Sequence, residues 1–127
     1  MTSKDQIATP LDTQFAGEVE WFGTIAHEFT HWTGHTSRLN REGVRGYSDR
    51  KTYAYEELVA EIGAAMAGAE LGISPVVRAD HAQYVASWLQ ALGDDKSFIF
   101  NAAKEAQKAL EYLQSLQPEI KTEQEAA

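Results

Sequence analysis

The pentapeptide HEFTH at residues 27–31 constrains the chain more than any other feature of its sequence. It lies in a stretch whose apolar spacing predicts a helix over residues 18–32. Residues four apart share one face of a helix, so His27 and His31 can offer imidazole nitrogens to one metal ion while Glu28 flanks them. This HExxH pattern predicts a metal-binding helix. The alternative is a helix in which hydrogen bonds alone satisfy both histidines.

Two histidines do not complete a catalytic zinc site, which takes three protein ligands and leaves a fourth position for water. The chain has no cysteine, so the third ligand must supply nitrogen or oxygen. The metzincin pattern HExxHxxGxxH matches Gly34, but Ser37 stands where its third histidine would be, and Met66 lies in a helical segment rather than a Met-turn. His35 stays a candidate, although the glycine before it disfavours continuation of the helix.

The next predicted helix begins at Tyr53 and carries three glutamates that can supply the third ligand: Glu56, Glu57 and Glu61. Glu57 and Glu61 are four residues apart, so both can face the HExxH helix. One would bind the metal, and the other would accept a hydrogen bond from the outer nitrogen of a ligating imidazole. We predict Glu57 as the ligand and Glu61 as the outer partner or alternative ligand. The competing interpretation is a solvated helix face.

The predicted metal is one zinc ion per chain, although manganese, cobalt and nickel accept the same donors. Zinc lowers the pKa of its bound water towards about 7. Glu28 is then placed to take the proton and to deliver it later to a leaving amine, which predicts hydrolysis of a peptide bond. A second donor to the oxyanion would come from one of three residues: Tyr53, Tyr55 or His35.

The apolar periodicity predicts a mainly α fold of about four helices with at most a small, short-stranded sheet, and the HExxH helix makes an α+β zincin-like arrangement the expected class. The first helix is expected to bury a stripe made of Phe22, Ile25, Phe29 and Thr33. Small residues between Gly63 and Ala69 predict that the second helix packs directly on the HExxH helix. Glycines are expected to end the first three helices, because they adopt the left-handed conformation at little cost: Gly34, Gly72 and Gly93.

The remaining segments are polar. Residues 6–9 are a weak candidate for a strand, and residues 35–52 are predicted to form a long ordered loop or an irregular sheet. One domain is expected over residues 1–117, followed by an acidic tail at 118–127 that is predicted to be disordered.

The net charge of −8 argues against strong non-specific binding to nucleic acid or anionic membranes, since both need a basic surface. Five of the eleven basic residues nevertheless follow the HExxH helix, in a segment interpreted as a solvated loop or as a surface for an acidic partner: Arg38, Arg41, Arg45, Arg50 and Lys51. No stretch is long and apolar enough to span a membrane, and the N-terminus lacks the apolar run of a signal peptide. We therefore expect a cytoplasmic location.

Three blocks of the sequence together resemble the zincin-like metallopeptidase domain of ArdC-type antirestriction proteins. The blocks are HEFTHWTGH at 27–35, RLNR at 38–41 and YAYEELVAE at 53–61. The resemblance extends over nearly the whole chain. It implies an origin on a plasmid, phage or other mobile element, a metal site made of HExxH and a downstream acidic residue, and a role in protecting incoming DNA from restriction enzymes.

ArdC-type proteins also carry an N-terminal domain that binds single-stranded DNA, and the resemblance does not include it, so DNA binding is not expected from this chain alone. The leading hypothesis is a zinc peptidase domain acting on a protein or peptide, with a restriction enzyme or a transcriptional repressor as candidate targets. A second hypothesis is a non-catalytic antirestriction or DNA- or protein-binding module that keeps a metal-stabilised fold. A third is a helical interaction domain without metal.

Overall fold

Four helices form the part of the chain that this computed structural model describes, namely residue 7 and residues 18–44, 49–72, 79–93 and 95–118. The helices are α1 at Glu18–Thr33, α2 at Arg50–Glu70, α3 at Ala79–Ala91 and α4 at Ser97–Ser115, with a short 3₁₀ turn at Glu42–Val44. Within the described ranges there is no strand, so the prediction of a mainly helical fold is confirmed. None of the described helices is long and apolar enough to cross a membrane.

Some predicted segments lie outside the described residues. Of the candidate strand at residues 6–9 only Ile7 is described, and of the tail at 118–127 only Pro118. Residues 45–48, within the predicted loop, are also outside the described ranges.

Helix α2 lies at the centre of the fold and contacts each of the other three helices. Its buried residues Ala54, Leu58 and Val59 join Leu92, after α3, and a stripe of alanines on α4. The alanines of α4 in this cluster are Ala102 and Ala106, and Ala109, further along the same helix, is also fully buried. The central position of α2 allows it to carry one half of a site whose other half lies on α1.

The crossing of α1 and α2 is close, as the small residues of α2 predict. A Cβ atom placed on Gly63 would lie 2.6 Å from Thr30 Oγ1 and 2.7 Å from Thr30 Cγ2. Both distances are well below van der Waals contact, so only glycine fits here without moving the helices apart. Thr30 is buried, and its hydroxyl donates a hydrogen bond of 2.8 Å to Ala26 O within α1.

The buried face of α1 differs from the predicted stripe. Ala26, Thr30 and Thr33 are buried, whereas Phe29 is 39% exposed and Ile25 is only half-buried. Of the four predicted positions, Thr33 alone is fully buried, and the prediction for Phe29 is wrong. The reason is the close crossing, because a tightly packed helix pair selects small side chains for its contact face rather than the most apolar ones.

Two of the three predicted glycine caps are confirmed. Gly72 has a φ of 73° and Gly93 a φ of 75°, the left-handed conformation that closes α2 and α3. Helix α1 does end just before Gly34, but Gly34 is not left-handed, so its predicted role is wrong. Helix α2 begins at Arg50, three residues before the predicted start, because the Asp49 side chain accepts a hydrogen bond from Thr52 N.

Residues 34–44 form a compact turn that folds back on the end of α1. Leu39 N donates to Thr33 O, and Arg41 N donates to Gly34 O, both at 2.9 Å. Asn40 has a φ of 54°, a left-handed conformation that asparagine tolerates and that lets the chain reverse. The turn delivers the Arg41 side chain to the crossing of α1 and α2.

Candidate metal centre

Helix α1 places His27 and His31 on one face, one turn apart. Their rings meet edge to face, with centroids 4.8 Å apart, and their Nε2 atoms lie 3.1 Å from each other. Both Nε2 atoms therefore point to the same region in front of the helix. This convergence requires helical geometry, and it explains why the spacing of four residues matters.

Helix α2 brings the Glu57 carboxylate to that region. Its Oε2 lies 3.1 Å from His27 Nε2, and its Oε1 lies 3.2 Å from His31 Nε2. Within the described chain, His27, His31 and Glu57 form a group that could hold a metal ion, with donor atoms all within 4.8 Å of one another.

The spacing of these donor atoms fits a single divalent ion. Two ligand atoms bound to one metal at 2.0–2.1 Å lie roughly 2.9–3.4 Å apart for angles between octahedral and tetrahedral. The separation of 3.1 Å between the two Nε2 atoms falls within that interval, and each Nε2 has a different oxygen of Glu57 at 3.1–3.2 Å. Two imidazoles and a carboxylate also form the donor set of many catalytic zinc sites. The three residues could thus hold a metal ion.

The outer nitrogen of each imidazole meets a further carboxylate. His27 Nδ1–H donates to Glu61 Oε2 at 3.0 Å, and His31 Nδ1–H donates to Glu56 Oε2 at 2.7 Å. Such bonds fix the tautomer that leaves Nε2 free to bind a metal, and they orient the ring. Glu61 thus lies where the sequence analysis placed the outer partner, while Glu56, offered there only as an alternative ligand, holds His31.

Arg41 is the residue of the site that sequence reasoning missed. The sequence predicts that its segment is a solvated loop or a surface for an acidic partner, but Arg41 is only 6% exposed. Its Nε donates to Glu56 Oε1 at 2.8 Å, and its Nη2 donates to Glu56 Oε2 at 3.1 Å. The one sequence signal was its presence in the RLNR block shared with ArdC-type proteins, because nothing in composition distinguishes it from its basic neighbours.

Two glycines make room for this buried ion pair. A Cβ atom on Gly34 would lie 2.8 Å from Arg41 Nη2, and one on Gly43 would collide with the Glu56 side chain. Gly34 is therefore required for close approach rather than for a left-handed cap.

His27, His31 and Glu57 shift one another's pKa values. Burial acts to lower the pKa of His27, but hydrogen bonds to Glu57 and Glu61 outweigh it and raise the pKa to about 9. For His31 burial acts in the same direction, and its bonds to Glu56 and Glu57 again raise the pKa. Burial acts to raise the pKa of Glu57, but the two histidines lower it to about 2. A metal must therefore displace protons from the imidazoles.

The other candidates lie in different positions. Glu28 is half-buried and makes no hydrogen bond or ion pair with another described residue. His35 lies in the turn after α1, where its ring bonds to Ser37, and it does not belong to the ligand group. Met66 packs against the core on α2, as a helical residue rather than part of a Met-turn.

Two tyrosines of α2 face different surroundings. Tyr53 is 53% exposed and lies one turn before Glu57, whose negative charge raises the pKa of the Tyr53 phenol. Tyr55 packs on the core and meets Phe98 edge to face at 6.3 Å. Of these two, only Tyr53 is exposed beside a ligand.

Residues 1–105 match the protein family described as zincin-like metallopeptidase. Two Escherichia coli proteins named DNA primase TraC are each 41% identical to the chain over 111 residues, which cover 87% of this chain but 8% and 10% of those proteins. The uncharacterized protein y4eC of Sinorhizobium fredii (strain NBRC 101917 / NGR234) is 36% identical over 115 residues, 91% of this chain and 37% of that protein.

Solved structures of the antirestriction protein ArdC from plasmid R388 are similar as well, at 52% sequence identity. The Mn(II)-bound structure has a TM-score of 0.68 and aligns with 84% of this chain. The metal-free structure has a TM-score of 0.69 and aligns with 87%. In both cases the chain covers 39% of the ArdC chain, so it spans less than half the length of these relatives.

Proposed function

The chain belongs to the family of zincin-like metallopeptidases, and from that premise we propose that it is a metal-dependent peptidase domain of the ArdC type. The observation that carries the proposal is the convergence of His27, His31 and Glu57 at the spacing of a single metal ion. A helix that merely satisfied two histidines would need neither the common direction of both Nε2 atoms nor a carboxylate in front of them.

We assign zinc as the metal on the chemistry of the donors. Neutral imidazole nitrogens and one carboxylate suit zinc, and the set leaves a position for water or substrate. Manganese is the natural competitor, since ArdC of plasmid R388 was solved with Mn(II) and an imidazole–carboxylate site selects weakly among divalent ions. Metal content of the purified protein decides between them.

The proposed chemistry is hydrolysis of a peptide bond. A metal bound here would acidify a water molecule and polarise the substrate carbonyl. Glu28 would accept a proton as the water oxygen bonds to the carbonyl carbon, and would deliver it to the amine as the C–N bond breaks. Tyr53 is the favoured second donor to the oxyanion, since Tyr55 faces the core and His35 is held by Ser37.

The proposed biological setting is antirestriction, by analogy with the similar ArdC protein. The substrate would be a protein, with a restriction enzyme or a transcriptional repressor as the candidate. Because the chain spans only part of its relatives, further segments of a longer protein could supply substrate recognition. The chain is proposed to act on protein rather than to bind DNA, in line with its net charge of −8.

Two measurements test this proposal. Elemental mass spectrometry of protein purified without chelator should find about one zinc per chain, strongly reduced in Glu57→Ala. Labelling of new N-termini in a denatured bacterial lysate should reveal cleavage products with the wild-type chain and none with Glu28→Gln. Glu70→Gln, an exposed change on the same helix as Glu57, serves as the matched control.

The second measurement can contradict the enzyme directly. Identical N-termini with wild-type and Glu28→Gln protein would refute peptidase activity. If antirestriction activity in cells also survived Glu28→Gln, the non-catalytic binding module would be the correct interpretation. Absence of any bound metal from a folded wild-type chain would refute the metal site itself.

A further inference from the structure

We infer that Arg41 and Glu56 are positioning residues that act together to aim His31 at the metal. The inference rests on the metal site proposed above and extends it to two residues that do not bind the metal. It also explains the fold of the turn at residues 34–44, whose backbone places the Arg41 side chain next to Glu56.

The first observation is that the Glu56 carboxylate is fully used. Oε2 accepts from His31 Nδ1–H at 2.7 Å and from Arg41 Nη2 at 3.1 Å, while Oε1 accepts from Arg41 Nε at 2.8 Å. Glu56 is only 4% exposed, so these partners replace water around its charge. A carboxylate held on both oxygens cannot rotate, and the imidazole bonded to it cannot rotate either.

The second observation is that Arg41 is itself fixed from several sides. Its Nη1 donates to Thr33 Oγ1 at 2.9 Å, and its Nη2 donates to Thr30 O at 2.5 Å, so the guanidinium joins the end of α1 to Glu56 on α2. Its backbone N–H donates to Gly34 O and its carbonyl accepts from Val44 N. The side chain is thus held at both ends, and it transmits the position of α1 to the carboxylate.

The third observation is charge balance. Glu56 and Glu57 are neighbours in the chain, and both carboxylates approach His31. A buried carboxylate without a cation is strongly disfavoured, and Arg41 supplies Glu56 with a positive charge that does not depend on the protonation of His31. The Glu56 carboxylate, held by Arg41, accepts from His31 Nδ1–H, and this bond aims Nε2 of the ring at the metal position.

The comparison with His27 shows what the pair adds. The partner of His27 is Glu61, whose side chain is 26% exposed, whereas the Glu56 side chain is 6% exposed. The Glu56 carboxylate is bound by the Arg41 guanidinium on both oxygens. The His31 ring is therefore held by a more deeply buried carboxylate than the His27 ring is.

The test uses conservative variants of the full chain. Arg41→Lys keeps the positive charge but loses the two guanidinium N–H groups that bind both oxygens of Glu56. Glu56→Gln keeps the shape of the side chain but loses its charge. The matched controls are Arg38→Lys, in the same turn but stacked on the Trp32 ring, and Glu70→Gln at the exposed end of α2. The zinc affinity of each is measured by competition with a chelating dye, with circular dichroism to report helicity before metal is added.

The expected result is that both test variants retain helicity and bind zinc about 10- to 100-fold more weakly, while both controls bind as the wild type does. The absorption bands of bound Co²⁺ should also shift in the test variants, because the orientation of His31 changes. A residue that only stabilised the fold would leave those bands unchanged. The double variant should lose no more affinity than Glu56→Gln alone, because Arg41 acts through Glu56.

Two results would overturn the inference. One is folded test variants that bind zinc within about twofold of the wild type with unchanged Co²⁺ bands. The other is losses that multiply in the double variant, which would mean that the two residues act independently. If the wild-type chain bound neither Zn²⁺ nor Co²⁺, both the proposed function and this inference would be wrong. If the wild type bound metal and the test variants bound it equally well, only the inference about Arg41 and Glu56 would be wrong.

Discussion

Replacing Gly63 by alanine should disturb the metal centre through the spacing of two helices. The new Cβ atom would lie 2.6 Å from Thr30 Oγ1 and 2.7 Å from Thr30 Cγ2. Ordinary contacts between such atoms are about 3.5–4.0 Å, so α1 and α2 must separate by roughly 1 Å at the crossing. Thr30 precedes His31 directly, so this movement reaches the ligands.

The magnitude follows from the spacing of the donors. The histidines lie on α1 and Glu57 lies on α2, and the separations between them are 3.1–3.2 Å. An increase of about 1 Å places Glu57 roughly 4 Å from both imidazole nitrogens, beyond the 2.9–3.4 Å that a common metal ion allows. Metal–ligand distances tolerate only about 0.2 Å, so zinc affinity should fall at least about 10-fold.

Stability is the less sensitive measurement for this variant. Overpacking costs about 1–3 kcal/mol, and alanine gains about 1 kcal/mol over glycine in a helix interior, so the two effects oppose each other. Zinc affinity is therefore measured directly, by competition with a chelating dye, in Gly63→Ala and in Gly63→Ala combined with Thr30→Ala. The second change removes the two colliding atoms and should restore most of the affinity. Wild-type zinc affinity in Gly63→Ala alone would refute the reasoning.

Three further predictions concern pH and the helix ends. Before a metal binds, His27 with a pKa of about 9 is about 99% protonated at pH 7. Zinc must displace this proton, so its affinity should rise about 10-fold per pH unit between pH 7 and 9. A flat pH profile of the zinc affinity in competition titrations would contradict this. In chelator-treated protein, the contribution of His27 to folding stability is complete below pH 6.5 and is lost as the pH rises through about 9. The contribution of Glu57 is complete above pH 4.5 and is lost as the pH falls through about 2. Urea unfolding at several pH values should therefore show that the free energy of unfolding falls at both extremes. Gly93→Ala should destabilise the protein by about 1 kcal/mol, because a φ of 75° disfavours a side chain. Gly23→Ala lies within α1 with nothing within 4 Å of the new methyl group, so it should stabilise the protein by about 0.5–1 kcal/mol. Equal effects of the two changes in urea unfolding would show that backbone conformation is not the cause.

The sequence was most informative where a local rule decides the geometry. Helical spacing alone brings His27 and His31 to one face, and a stretch of small residues predicted the close crossing at Gly63. Helical spacing predicts that Glu57 and Glu61 both face the HExxH helix, and in the structure Glu57 contacts His27 Nε2 while Glu61 contacts His27 Nδ1.

The sequence was least informative where a contact joins distant segments. The burial of Arg41 depends on a turn that reverses at Asn40 and on two glycines that leave space beside Arg41 and Glu56, and no periodicity reports such an arrangement. The exposure of Phe29 has the same origin. Apolar patterning favours the most hydrophobic side chain for a buried position, whereas a close helix crossing has room only for small side chains. Both errors concern tertiary packing rather than helix formation.

The proposed ligands lie far apart in sequence, so binding of an ion would also change the conformational entropy of the unfolded chain. His27 and Glu57 are separated by 30 residues, so an ion bound to both closes a loop in the manner of a cross-link. A cross-link around a loop of this length restricts the unfolded ensemble by on the order of 3–4 kcal/mol. The end of α1, the following turn and the start of α2 lie inside that loop, while α3 and α4 lie outside it. Chelation should therefore increase amide hydrogen exchange first in the enclosed segment and leave α4 protected for longer.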